Sequence, residues 1–247
     1  MFRNIIRGLR AYSGTIRLIN ELGLWKYFGI PILISVVVAL LVGFGAYGFS
    51  DNIGGLIAKA WIWEWGSETF RTISDVLGGL IIIVLGLIVY KHIVLALSAP
   101  FMSPVSEKIE AHITGTASEQ RNTSFMAQLW RGIKVNGRNL IMEIFLSIPI
   151  FILGFIPVIG FLSGFLLFFV QSYYAGFGNM DYTLERHLGY GKSVQFVSDH
   201  RGIAIGNGMV FMLMLLIPVI GIILVLPLSV TAATTETVKI LYPSEEK

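Results

Sequence analysis

At 247 residues the chain is 55% hydrophobic and 13% charged, with a mean hydropathy of +0.75, whereas soluble domains carry about 25% charged residues. That composition excludes a soluble globular protein and places the chain in a membrane. With no cysteine there is no disulfide, thiolate nucleophile, iron–sulfur cluster or Cys-ligated zinc, and the net charge of +3 matters less than where the 18 Lys and Arg residues fall.

Residues 1–26 read as a basic amphipathic helix lying on the membrane: Phe2, Ile5, Ile6, Leu9, Tyr12, Ile16 and Ile19 recur at helical spacing, with Arg3, Arg7, Arg10 and Arg17 between them. The scattered arginines are unlike a cleaved signal peptide, and Gly23 is the expected stop. Residues 27–50 hold 24 residues without a charge, enough for a spanning helix, since about 20 cross the hydrocarbon core. A second spanning helix is expected over 72–98. Cytoplasmic or interfacial helices follow over 99–143, where Pro100 ends or kinks the span, Ser103 caps a new helix with Pro104 in its first turn, and Gly115 closes it.

Two longer apolar blocks remain, at 144–180 and 202–235, and each contains the string IPVIG, at Ile156–Gly160 and Ile217–Gly221. Proline breaks the helical ladder and glycine permits a turn, so each block reads as two arms joined by a tight corner. Arms of 12 residues (Ile144–Phe155) and 14 residues (Ile203–Leu216) reach about 18 and 21 Å, short of a complete crossing. The expected fold is therefore an all-α integral membrane protein with two long transmembrane helices, two hemi-penetrant helical hairpins and an interfacial N-terminal helix, in one membrane domain. The repeated corner also suggests a weak internal repeat of the kind transport proteins use. If both hairpins return to their side of entry, 16 of the 18 basic residues face one compartment. The positive-inside rule makes that side cytoplasmic, with both termini there and Trp61, Trp63 and Trp65 in an external interfacial loop.

Enzyme motifs are absent: His92, His112, His187 and His200 lack metal-site spacing, and there is no P-loop or nucleophile elbow. Nothing calls for a cofactor, a metal or a nucleic acid. Gly43-Phe44-Gly45 fits close helix packing, and Asn122-Thr123-Ser124 matches a glycosylation pattern on the side expected to be cytoplasmic. In NELGLWKYFGIP, Gly23 ends one helix, Lys26 sits at the lip of the bilayer and Pro31 lies near the next helix start, so free N–H groups beside a lysine can hold an anion. The alternative is that Trp25 and Lys26 are interfacial anchors. In LSAPFMSPVSEKIEAHITG, Glu107, Glu110 and His112 belong either to a vestibule or to a solvated helix. Asn179, Asp181, Asp199, His200 and Arg201 either line a polar path or pair with one another at the hairpin ends. Arg131, Lys134 and Arg138 share one helix face, read as a topology determinant or headgroup contact.

GLWKYFGIPILIS and APFMSPVSEKIEAHITG, with the step near Asp181 and the paired hairpins, resemble the CysZ sulfate-permease family of the etoposide-induced-protein superfamily. That resemblance implies sulfate or a related oxyanion as substrate, sulfur supply for cysteine synthesis, a bacterial inner membrane, a homo-oligomer, membrane lipids as partners, and no enzymatic activity. It places anion binding at the family's G-[LI]-R-R loop, here Gly23, Leu24, Trp25 and Lys26. Trp25 replaces the first arginine and Lys26 the second. Arginine offers a planar fork to an oxyanion and lysine a point charge, so a weaker site or a different substrate follows. The family's antiparallel packing of subunits needs little topological bias, and the bias here admits a parallel oligomer or a monomer. Two readings stand: a channel-like oxyanion permease, and a membrane scaffold or lipid-interacting protein of the same fold that permeates nothing.

Overall fold

The structure is a computed structural model that describes residues 1–58, 67–115, 124–154, 159–217 and 219–243. Pro157, Pro218, Trp61, Trp63, Trp65 and the Asn122-Thr123 pair, each singled out by the sequence, lie outside these residues. Regular structure among the described residues is helical throughout: α1 (Phe2–Arg10), α2 (Thr15–Glu21), α3 (Trp25–Ala58), α4 (Ser67–Thr114), α5 (Phe125–Leu153), α6 (Ile159–His187), α7 (Tyr190–Asp199), α8 (Arg201–Leu215) and α9 (Ile220–Leu241). The chain divides into two units. One is Met1–Val36 with His92–Lys247; the other is Val37–Lys91, in which the later part of α3 meets α4 where Gly86 faces Val42.

The larger unit is built on α8, and glycine explains how. A Cβ on Gly208 would lie 1.7 Å from the Ser172 carbonyl oxygen of α6, and one on Gly176 of α6 would lie 1.9 Å from that of Ala204. Across the other side of α8, Gly206 and Gly202 face the N-terminal helix, where a Cβ would come within 2.2 and 2.8 Å, and Gly8 answers them from α1. Small residues four apart let helix backbones approach in this way where water does not drive association. Asn179 of α6 donates to Asn207 of α8 at 2.8 Å, Asn207 donates to the Ser229 carbonyl of α9 at 3.0 Å, and the half-buried Tyr12 hydroxyl donates to Ser229 Oγ at 2.7 Å. These bonds satisfy polar groups that apolar surroundings would otherwise penalise.

Burial differs from that of a soluble protein in that many large apolar side chains are exposed around an apolar core. Glu143 is fully buried, while Phe145, two residues on, is 71% exposed and Phe161 is 79% exposed. Apolar side chains face outward along α5 and α6 because lipid is the solvent there. Five helices among the described residues are long and apolar enough to cross a membrane.

Several boundaries differ from those expected. The N-terminal helix breaks into α1 and α2 at Gly14, which adopts φ 87°, with the Thr15 hydroxyl donating to the Tyr12 carbonyl at 3.0 Å. No helix starts at Ser103: α4 runs through Pro100 and Pro104 to the expected stop at Gly115, which adopts φ 69°. Pro100 deprives the Ala96 carbonyl of its helical donor, and that oxygen faces Gly132 of α5, where a Cβ would come within 2.7 Å. The first hairpin arm continues the preceding charged helix, so α5 has 29 residues, about 43 Å. In the second hairpin the outgoing arm, α8, is short at 15 residues.

Both corners join helices that pack together. The IPVIG glycines matter less for the turn itself than for the close helix contact just beyond it: Gly160 presses on the Gly154 carbonyl, and a Cβ on Gly221 would meet the Met214 carbonyl at 1.9 Å. The strain of the second corner falls on Val219, at φ 64° and ψ −61°, a γ-turn region that a β-branched residue seldom enters.

Candidate functional site

The loop between α2 and α3 is shaped by its own hydrogen bonds. Gly23 adopts φ 59°, its N–H donates to the Asn20 carbonyl at 3.2 Å, and the Leu24 N–H reaches back to Ile19 at 2.9 Å. This is a Schellman closure, with Leu24 and Ile19 both buried. It turns the chain so that Trp25 and Lys26 begin α3, where the first amides have no intrahelical acceptor. A Cβ on Gly23 would meet nothing within 4 Å, so the space over the turn is open.

Trp25 does not contribute its indole N–H to that space, because Nε1 donates to Asn20 Oδ1 at 2.6 Å. The cation comes from Lys26, whose Nζ lies 5.4 Å from the centroid of the Tyr27 ring. A second cation lies on the same ring: Lys108 of α4, at 5.9 Å. Neither lysine is held by a carboxylate among the described residues. Two ammonium groups and a helix start, which carry positive charge or partial charge, thus lie together with an open turn. Lys108 was not singled out by sequence, since it lies 82 residues from Lys26; its only signal was its place on the helix carrying Glu107 and Glu110.

The polar residues proposed for a path fall into two sets. Glu110, Asn179 and Asp181 are buried and engaged. Glu110 meets Arg186 at 2.6 Å and His187 at 2.9 Å, and the Tyr242 hydroxyl at 3.3 Å; burial first, and then the Glu110 charge, push the Tyr242 phenol up. Asp181 receives a two-pronged grip from Arg131, at 3.1 and 2.8 Å, and Arg131 also donates to the Leu188 carbonyl and Ser193 Oγ. Arg131 is thereby an internal anchor of α5 on α6 and α7, not the outward contact its helix face suggested. Glu107, His112 and Arg201 lie at or near the surface and are not joined to the buried set by any described bond. A further pair that sequence spacing does not reveal, His92 and Glu143, meets at 2.9 Å with both side chains buried.

In the buried set both arginines are held by carboxylates, Arg131 by Asp181 and Arg186 by Glu110. The family described as sulfate transporter CysZ/etoposide-induced protein 2.4 matches residues 12–226. Similar curated proteins named sulfate transporter CysZ come from Pseudomonas aeruginosa strains LESB58 and PAO1 and from Pseudomonas paraeruginosa strain PA7. Each is 25% identical over 223 residues, 89% of this chain and 89% of the relative.

Proposed function

The chain belongs to the sulfate transporter CysZ/etoposide-induced protein 2.4 family, a family of membrane transporters rather than enzymes, and we propose that it carries sulfate, or a closely related tetrahedral oxyanion, across the bacterial inner membrane. The observation that carries this reading is the pair of lysines on Tyr27 beside the open Gly23 turn. Gly23, Leu24, Trp25 and Lys26 shape the first anion site, and Lys108 supplies the second positive charge that Trp25, standing in the place of an arginine, does not. A dianion gains from two cations at once, and an open site releases it readily, as conduction requires.

The two hairpins, α5–α6 and α8–α9, serve as a re-entrant core. The Glu110, Asp181 and Asn179 interactions lock that core together, while Glu107, His112 and Arg201 lie on the approach to it. Channel-like passage, driven by the sulfate gradient, is the simplest route that such an open site offers. Supply of sulfur for cysteine synthesis and assembly as a homo-oligomer complete the proposal. Labelled-sulfate uptake by proteoliposomes tests it: selective uptake supports the permease, and none from folded protein favours a scaffold of the same fold.

A further inference from the structure

A second basic site lies away from the anion loop, in a cleft of about 430 Å³ between α1 and α9. Arg3, Arg7 and Arg10 line it from α1 and Lys239 from α9, with Glu236 as the acidic residue among them. The two oxygens of Glu236 are already taken, one by Arg7 Nε and the other by Lys239 Nζ at 2.9 Å. Arg3 and Arg10 have no acidic partner among the described residues. Four cations against one carboxylate leave the cleft three charges positive. The arginines cannot simply swing apart with their helix, because Gly8 fixes α1 on α8 with backbone-to-backbone contact.

We propose that this cleft binds the phosphate of an anionic phospholipid headgroup. A free oxyanion would satisfy the same charges, but the surroundings favour the lipid. Met1 and Phe2, at the start of the same helix, are 69% and 75% exposed, so α1 presents apolar side chains next to the arginine-lined cleft. A diacyl lipid uses both features, its phosphate on Arg3 and Arg10 and its chains against Phe2, whereas a soluble anion leaves the apolar side unused. Binding there holds α1 on the membrane surface independently of any transport at the Gly23 loop.

The test is native mass spectrometry of the purified full-length protein titrated separately with phosphatidylglycerol, phosphatidylcholine and inorganic phosphate. Phosphatidylglycerol is expected to bind and phosphatidylcholine to bind far more weakly. The double variant Arg3→Gln/Arg10→Gln is expected to weaken phosphatidylglycerol roughly 25-fold, about fivefold for each juxtamembrane charge removed. Glu236→Gln acts in the opposite direction, releasing Arg7 and Lys239 and tightening the lipid, a gain that misfolding does not produce. Equal affinity for both lipids, or unchanged binding in the double variant, overturns the proposal. Displacement of the lipid by inorganic phosphate at matching affinity overturns the lipid as the source.

Discussion

Lys26 of α3 and Lys108 of α4 bear on one aromatic ring, with their Nζ atoms 5.4 and 5.9 Å from the Tyr27 centroid. The sulfate site proposed at the Gly23 turn draws on both charges. Replacing either with alanine is expected to weaken sulfate binding about tenfold, and replacing both to abolish it, since a hydrogen bond to a charged group contributes about 1.5–3 kcal/mol. Lys108→Arg should retain binding. Isothermal titration with sulfate reads all four proteins; wild-type affinity in Lys108→Ala removes that residue from the site.

Trp25→Arg places at this position the arginine that the resemblance to the CysZ sulfate-permease family leads one to expect. The indole bond to Asn20 is lost, an exposed interaction of small worth, while a guanidinium fork is gained beside the open turn. Sulfate affinity is expected to rise by about tenfold and to become more sensitive to ionic strength. Titration at two salt concentrations checks both.

The buried grip of Arg131 on Asp181 gives a stability prediction. Arg131→Met strands a buried carboxylate and is expected to cost about 3–5 kcal/mol, while the double variant Arg131→Met/Asp181→Leu recovers much of it. Thermal unfolding in detergent distinguishes this from a headgroup-binding arginine, whose loss leaves the midpoint nearly unchanged.

Glycine supplies an internal control. Gly208→Val is expected to prevent folding, because even a Cβ meets the Ser172 carbonyl at 1.7 Å, whereas Gly164→Ala, with nothing within 4 Å, should be neutral or stabilising by up to about 1 kcal/mol. Size-exclusion profiles of the two variants separate close packing from a general intolerance of change.

Much of the architecture was legible in the sequence because lipid imposes simple rules. Charge-free runs mark the apolar segments, and the two IPVIG strings mark the places where α5 gives way to α6 and α8 to α9. Helix ends inside charged sequence were less legible. The Arg131 face looked like membrane-surface charge because its partner, Asp181, is 50 residues away, and pairing cancels the charge that a count of basic residues records. Pro100 looked like an end or a kink and Ser103-Pro104 like a new helix start because a proline removes a helical hydrogen bond, yet α4 continues through both, with the freed Ala96 carbonyl facing Gly132 of α5. The loop at Gly23 was found by its local capping chemistry, while Lys108 reaches it only through tertiary packing. The N-terminal helix was legible as basic and amphipathic, but Gly14 was overlooked as its divider. The ten-residue α7 was likewise missed within a segment treated as a connection.

The central claim is sulfate permeation, and labelled-sulfate uptake into proteoliposomes tests it most directly, with empty liposomes and Lys26→Ala protein in parallel. Saturable uptake by the unmodified protein, strongly reduced in Lys26→Ala, is the predicted result. Uptake no greater than in empty liposomes, from protein whose unfolding profile shows it to be folded, would contradict the account.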